Sequence, residues 1–225
     1  MRSLTAVDFQ STGWRLHDPA ILAQVNGILA TQDTVFSTYG VTKDIHVVHL
    51  MAQLSHESGK GTEMIESLNY TPAALLNQWP RHFTPAQATA YGRTADHPAN
   101  QQMIGELAYG GRMGNAAAPS EDGYTFRGRG FIQTTGRNGY QSLGEITGLD
   151  LVASPELVND PAHALGCAVA EFVHYPGMLE YCEADNLLAV SALINVGHLV
   201  SNPNDVIGYQ DRAAQLQLWK RQYGL

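Results

Sequence analysis

Apolar and polar positions alternate with a helical period across residues 44–57. At about 100° per residue, Val47, Val48, Leu50, Met51 and Leu54 line one side of a predicted helix. His46, His49, Gln53, His56 and Glu57 line the other, so a polar stripe ends on a carboxylate. Ser58-Gly59-Lys60-Gly61 follows, and its glycines predict the stop.

Elsewhere the clearest signal is punctuation. Asp18-Pro19, Thr71-Pro72, Thr84-Pro85 and Asp160-Pro161 each place an oxygen-bearing capping residue before a proline and a run of helix formers. The cap satisfies an orphan amide, and proline at the first helical position loses no hydrogen bond there. Gly40, Gly92, Gly110 and Gly148 stand where C-terminal glycines end helices. The pattern predicts helices near 19–31, 43–57, 72–79, 85–91, 99–109, 138–147, 161–174, 186–194 and 208–222. Residues 124–134 are expected to form a short extended pair. The expected fold is mainly α, two helical lobes with a substrate groove between them and at most a small β element.

Size and composition narrow the classes. A chain of 225 residues with 44% apolar content suits one catalytic domain, with 1–40 expected as a helical extension packed on it. No apolar run reaches the roughly 18 residues of a membrane span, and the N-terminus lacks the apolar stretch of a signal peptide. The chain is therefore expected to stay in the cytoplasm as synthesised, acting elsewhere only after release by another factor. A net charge of −8 repels a polyanion, which argues against nucleic acid as a partner. Cys167 and Cys182 are too few for a disulfide framework, and Cys167 reads as a buried structural thiol.

Glu57 and Glu66 lie nine residues apart, one at a helix end and one in the loop beyond. Two carboxylates so placed can face each other across a groove. Inverting glycosidases use such a pair at roughly 6.5–9.5 Å, one protonating the leaving oxygen and the other activating water. Two solvated surface carboxylates would show the same spacing. His46, His49 and His56 invite a metal reading, but zinc helices place two histidines four apart around a general base. No metal or cofactor is expected. His56 is retained as the charge neighbour of Glu57.

Residues 123–140 carry five glycines, the arginines Arg127, Arg129 and Arg137, and no acidic residue. Tyr124, Phe126, Phe131 and Tyr140 are interleaved with them. Glycines let backbone approach a ligand, aromatic faces stack on sugar rings, and Gln133, Thr134 and Thr135 offer groups to hold a sugar or a water.

At these residues the chain resembles glycoside hydrolase family 19, the inverting chitinases and related phage and bacterial endolysins. The resemblance rests on Gln53-Leu54-Ser55-His56-Glu57-Ser58, Glu66-Ser67-Leu68-Asn69-Tyr70, Gly111-Arg112-Met113-Gly114-Asn115, and the run from Gly128 through Arg129, Gln133 and Thr135 to Arg137. It implies a lysozyme-like helical fold, Glu57 as general acid, Glu66 as general base and Thr135 as the hydroxyl that helps hold the attacking water. His56, Asn69, Tyr70, Tyr124, Arg129, Gln133, Asn195 and Arg212 are the expected substrate-site residues, with Asn195 contacting sugar and Arg212 supporting the base. The nine-residue gap is similar to the compact bacterial and phage branch, whereas plant members space the pair more widely. Gly139 stands where plant chitinases carry a substrate-binding asparagine, and Ile194-Asn195-Val196-Gly197 is a loosened form of the usual glycine-paired motif. The resemblance implies an enzyme cleaving β-1,4 bonds between N-acetylhexosamines, most of all in bacterial peptidoglycan or alternatively in chitin, and the protein is expected to be a monomer. The rival class is a glycan-binding module without catalysis.

Overall fold

The structure is a computed structural model that describes all 225 residues. It contains helices α1 (Ala6–Ser11), α2 (Pro19–Thr38), α3 (Asp44–Glu57), α4 (Pro72–Gln78), α5 (Pro85–Tyr91) and α6 (Gln101–Tyr109). These are followed by α7 (Asp122–Thr125), α8 (Arg137–Thr147), α9 (Ala164–His174), α10 (Met178–Glu183), α11 (Leu187–Val196) and α12 (Tyr209–Tyr223). Two short 3-10 turns, Pro155–Asn159 and Pro203–Asp205, complete the set. The only β features are isolated antiparallel bridges from Arg129 to Ile65 and to Thr134. The protein is mainly α, and no helix is long and apolar enough to cross a membrane.

Three of the four predicted caps act as such. Asp18 accepts from Ala20, Thr71 from Ala74, and Thr84 exchanges bonds with Gln87 in a capping box. The fourth differs: Asp160 caps a turn through the Ala162 amide, and α9 begins only at Ala164. Helix α2 runs past residue 31 to Thr38, because Val35 and Phe36 still face the core and Gly40 (φ 73°) provides the break. Tyr124 and Thr125, the start of the expected extended pair, belong instead to the helical turn α7, and the pair is reduced to the Arg129–Thr134 bridge. A Cβ on Gly123 would lie 2.3 Å from the Gly105 carbonyl, so α7 seats directly on α6.

The chain divides into two compact units. The first comprises Met1–Met64, Gly130–Gln133 and Leu157–Leu225. Its centre is α3, in which every residue from 46 to 55 is buried, polar stripe included. Helices α9, α10, α11 and α12 pack around it. Ser55 Oγ accepts from the indoles of Trp14 (3.2 Å) and Trp219 (2.9 Å), and Phe9 meets both rings edge-on. Residues 1–40 supply much of this core through Phe9, Trp14, Ile21, Val25, Ile28 and Phe36. Gly27 lets α2 pass against the chain before α9, since a Cβ there would lie 2.0 Å from the Pro161 carbonyl oxygen. Cys167 and Cys182 are free and buried, and burial pushes both thiols up to about 12.

The second unit comprises Ile65–Arg129 and Thr134–Glu156. Leu68, Leu75, Phe83, Ala88, Ile104 and Ala108 form its core, with Trp79 meeting Tyr70 and Tyr109 edge-on at 5.1 and 5.9 Å.

Candidate functional site

In the first unit the site is built on the C-terminal turn of α3. Glu57 is partly buried, its side chain 18% exposed, and Arg212 Nη2 donates to its Oε1 at 2.5 Å. Arg212 projects from the first turn of α12 and is buried. Its Nη1 donates to Gln53 Oε1 at 2.5 Å, and its Nε to the Ile207 carbonyl at 3.2 Å. Gln53, one turn before Glu57, passes the chain on by donating to Ser191 Oγ at 3.2 Å. The guanidinium is thus fixed on three sides, and it fixes one carboxylate oxygen while Oε2 has no partner in the protein. The carboxylate that Arg212 holds is Glu57, the expected acid, where the resemblance implied support for the base.

His56 Nδ1 lies 2.7 Å from Asp211 Oδ2, and Gln215 steadies the other oxygen of Asp211. The imidazole packs on Gly208, where a Cβ would lie 2.2 Å from His56 Cε1. Asn195, half-buried at the end of α11, accepts from the Ile207 amide at 2.9 Å through Oδ1, leaving its amide nitrogen without a protein partner. The remaining histidines of the stripe go to carboxylates. His46 Nε2 meets Glu183 at 3.1 Å and His49 Nε2 meets Asp185 at 2.9 Å. Burial pulls both imidazoles below their ordinary value, outweighing the carboxylates that would raise them.

In the second unit Glu66 is held through both oxygens. The Tyr109 hydroxyl donates to Oε1 at 2.7 Å, and the Gly128 amide donates to Oε2 at 3.1 Å. The Glu66 amide returns a bond to the Gly128 carbonyl at 2.9 Å, which locks the backbone beneath the carboxylate. Burial, then the bond to Glu66, push the Tyr109 phenol far above its usual range, so it remains a donor. Each carboxylate oxygen has two acceptor sites, so the clamp leaves capacity on both. Tyr109 is tethered in turn by Asn115 Nδ2, which donates to its carbonyl at 3.0 Å while Asn115 Oδ1 accepts from Arg137 at 2.8 Å. The Gly111–Asn115 motif therefore braces Tyr109, the donor to Glu66, from behind.

Other expected site residues divide by what they touch. Asn69 is exposed, Tyr70 is half-buried against Trp79, and the Tyr124 ring carries the Arg127 guanidinium 4.0 Å from its centre. Arg129, expected at the sugar, is buried and donates to the Thr125 carbonyl (2.5 Å) and the Tyr140 hydroxyl (2.9 Å). Both bonds come from Nη1, so this nitrogen serves as a brace inside the fold. Gln133 adopts φ 62° and donates through Nε2 to the carbonyls of Glu63 (2.7 Å) and Gly130 (3.0 Å), which ties down the loop after Glu57. Thr135 is half-buried in the second unit. Sequence reasoning gave no role to Tyr109, Asp211 or Ser191, whose partners are distant in the chain.

The protein is of the mainly helical class, with one anchored glutamate in each unit, and comparison with known proteins supplies the family. The chain is 30% identical over 174 residues to a glycosyl hydrolase family 19 domain-containing protein of Haemophilus influenzae, covering 77% of this chain and 82% of that one. The chain belongs to glycosyl hydrolase family 19. No protein-family model matches it. Among solved structures it resembles chitinase C of Streptomyces griseus, with a TM-score of 0.59 at 17% identity over 98% of this chain and 76% of the other. A mutant of chitinase C superposes with the same TM-score of 0.59 at 15% identity, over 98% and 92% of the two chains. These likenesses show that the fold is the family's helical fold.

Proposed function

We propose that the protein is an endo-acting, inverting glycosidase that hydrolyses β-1,4 bonds between N-acetylhexosamines in bacterial peptidoglycan. Family membership makes a polysaccharide the substrate. The observation that carries the catalytic reading is Glu57, a partly buried carboxylate with Oε1 fixed by a buried arginine and Oε2 left open. In the proposed reaction Glu57 gives a proton to the glycosidic oxygen as the bond to the anomeric carbon breaks. Water attacks that carbon from the opposite face, and Glu66 takes the water's proton. Thr135 helps to hold that water. The resemblance to phage and bacterial endolysins favours peptidoglycan as the polymer, and chitin, which shares the β-1,4-linked N-acetylhexosamine backbone, is the alternative.

Two measurements test this. NMR of a freshly cleaved oligosaccharide should show an α-anomer at a free reducing end. A β-anomer first, or a 1,6-anhydro end, overturns the two-carboxylate inverting mechanism. Zymograms with embedded peptidoglycan and embedded chitin should clear on peptidoglycan; clearing on chitin alone reassigns the polymer. Clearing on neither leaves a binding module.

A further inference from the structure

Ile207 is the most exposed large apolar residue of the protein, 77% accessible, yet both polar groups of its backbone are held by side chains. Its amide donates to Asn195 Oδ1 at 2.9 Å and its carbonyl accepts from Arg212 Nε at 3.2 Å. On one side Val206 is buried. On the other Gly208 adopts φ 69° with the His56 ring where its Cβ would be. A flexible surface loop would need none of these ties. Here they fix the direction of a side chain that gains nothing from the fold, one guanidinium away from Glu57.

The geometry points to Ile207 as a specificity-determining residue that takes the methyl of the substrate's acetamido group. An acetamido group presents a carbonyl acceptor and a methyl side by side. The Asn195 amide nitrogen is a donor without a protein partner, on the same side chain that holds the Ile207 backbone. Donor and apolar surface are thereby tied together, one at the end of α11 and the other on the loop before α12, which suits an N-acetyl sugar and disfavours a free amino sugar. The inference rests on the proposed glycosidase reading and goes beyond it by naming what the site distinguishes.

The test compares wild type with Ile207→Ala and Ile207→Leu on short N-acetylglucosamine oligomers and their partly deacetylated counterparts. Binding of the same oligomers is measured in a Glu57→Gln background. Because the side chain lies in solvent, the melting temperature of Ile207→Ala should match wild type. KM for the acetylated oligomer should rise about 5–20-fold with kcat little changed, the size expected for losing most of a buried aliphatic side chain. The preference for acetylated over deacetylated substrate should narrow by the same factor, and leucine should restore most of it. Unchanged KM and unchanged preference in an active enzyme overturn the inference and leave the glycosidase reading standing. Absence of both cleavage and oligomer binding by the parent proteins overturns the two together.

Discussion

Arg212 touches Glu57 and Gln53 at 2.5 Å each, so one buried guanidinium sets the position of the carboxylate at the end of α3. Lysine carries the charge but not the planar fork, and cannot serve both oxygens and the Ile207 carbonyl. Arg212→Lys is expected to fold and to lose roughly 10–100-fold in kcat as Glu57 loosens. Arg212→Ala should also cost about 3 kcal/mol in stability, because Gln53 and Glu57 are left without their donor. Urea melts and steady-state kinetics measure the two effects separately. A kcat within twofold of wild type for Arg212→Lys would refute the positioning role.

Tyr109→Phe removes one donor from Glu66 and almost nothing else, since the ring remains packed on Trp79. One lost hydrogen bond to a charged group should lower kcat by about 10-fold, corresponding to about 1.4 kcal/mol. KM should hold. A variant whose kcat matches wild type would show that the Tyr109 bond does not matter to turnover.

The His49 imidazole gives a pH dependence of stability with a definite sign. Fully buried, with Nδ1 lacking any partner, it titrates below its ordinary value of 6.5 despite Asp185. Its lowering comes first from burial and is aided by Lys220 and His46, while the Asp185 contact opposes it. The unfolded chain therefore binds the proton more readily than the folded one. Stability is full above the unfolded value of 6.5 and is lost as the pH falls from there through the folded value. His46 adds in the same direction. Melting temperatures recorded from about pH 7 to pH 5 should fall, and His49→Gln should flatten that slope. An equally steep decline in the variant would assign it to other groups.

Gly27→Ala places a methyl 2.0 Å from a backbone oxygen at Pro161, which no side-chain rotation relieves. The substitution should cost about 2–4 kcal/mol, against the small gain that alanine normally brings to a helix interior. Thermal unfolding checks this, and a melting point equal to or above wild type contradicts the close approach of α2 to Pro161.

How much of this was legible depends on the range of the interaction. Caps at Asp18, Thr71 and Thr84 bond within three residues, so the sequence around them is sufficient. Helix α10 escaped because it is six residues long and starts at Gly177 without a side-chain cap. The polar stripe of α3 was visible, but its burial was not. His46 finds Glu183 across 137 positions and Gln53 finds Ser191 across 138, pairings that only the packed fold creates. Ser55 read as one letter of a motif and proved to be the shared acceptor of two tryptophan indoles. Arg129 and Gln133 carry the right chemistry for a sugar, but Arg129 Nη1 turns to the Thr125 carbonyl and the Tyr140 hydroxyl. Gln133 Nε2 turns to the carbonyls of Gly130 and the distant Glu63, and residue type alone reveals neither choice.

The first unit is assembled from three stretches of chain, and its last helix supplies both Arg212 and Trp219. During synthesis the segment bearing Glu57 leaves the ribosome more than 150 positions ahead of the arginine that orients it. The second unit, Glu66 included, can pack before α12 is made. Glu66 can therefore be seated early, while Glu57 stays unoriented until the final helix docks, so the proposed hydrolase becomes competent only after translation of α12.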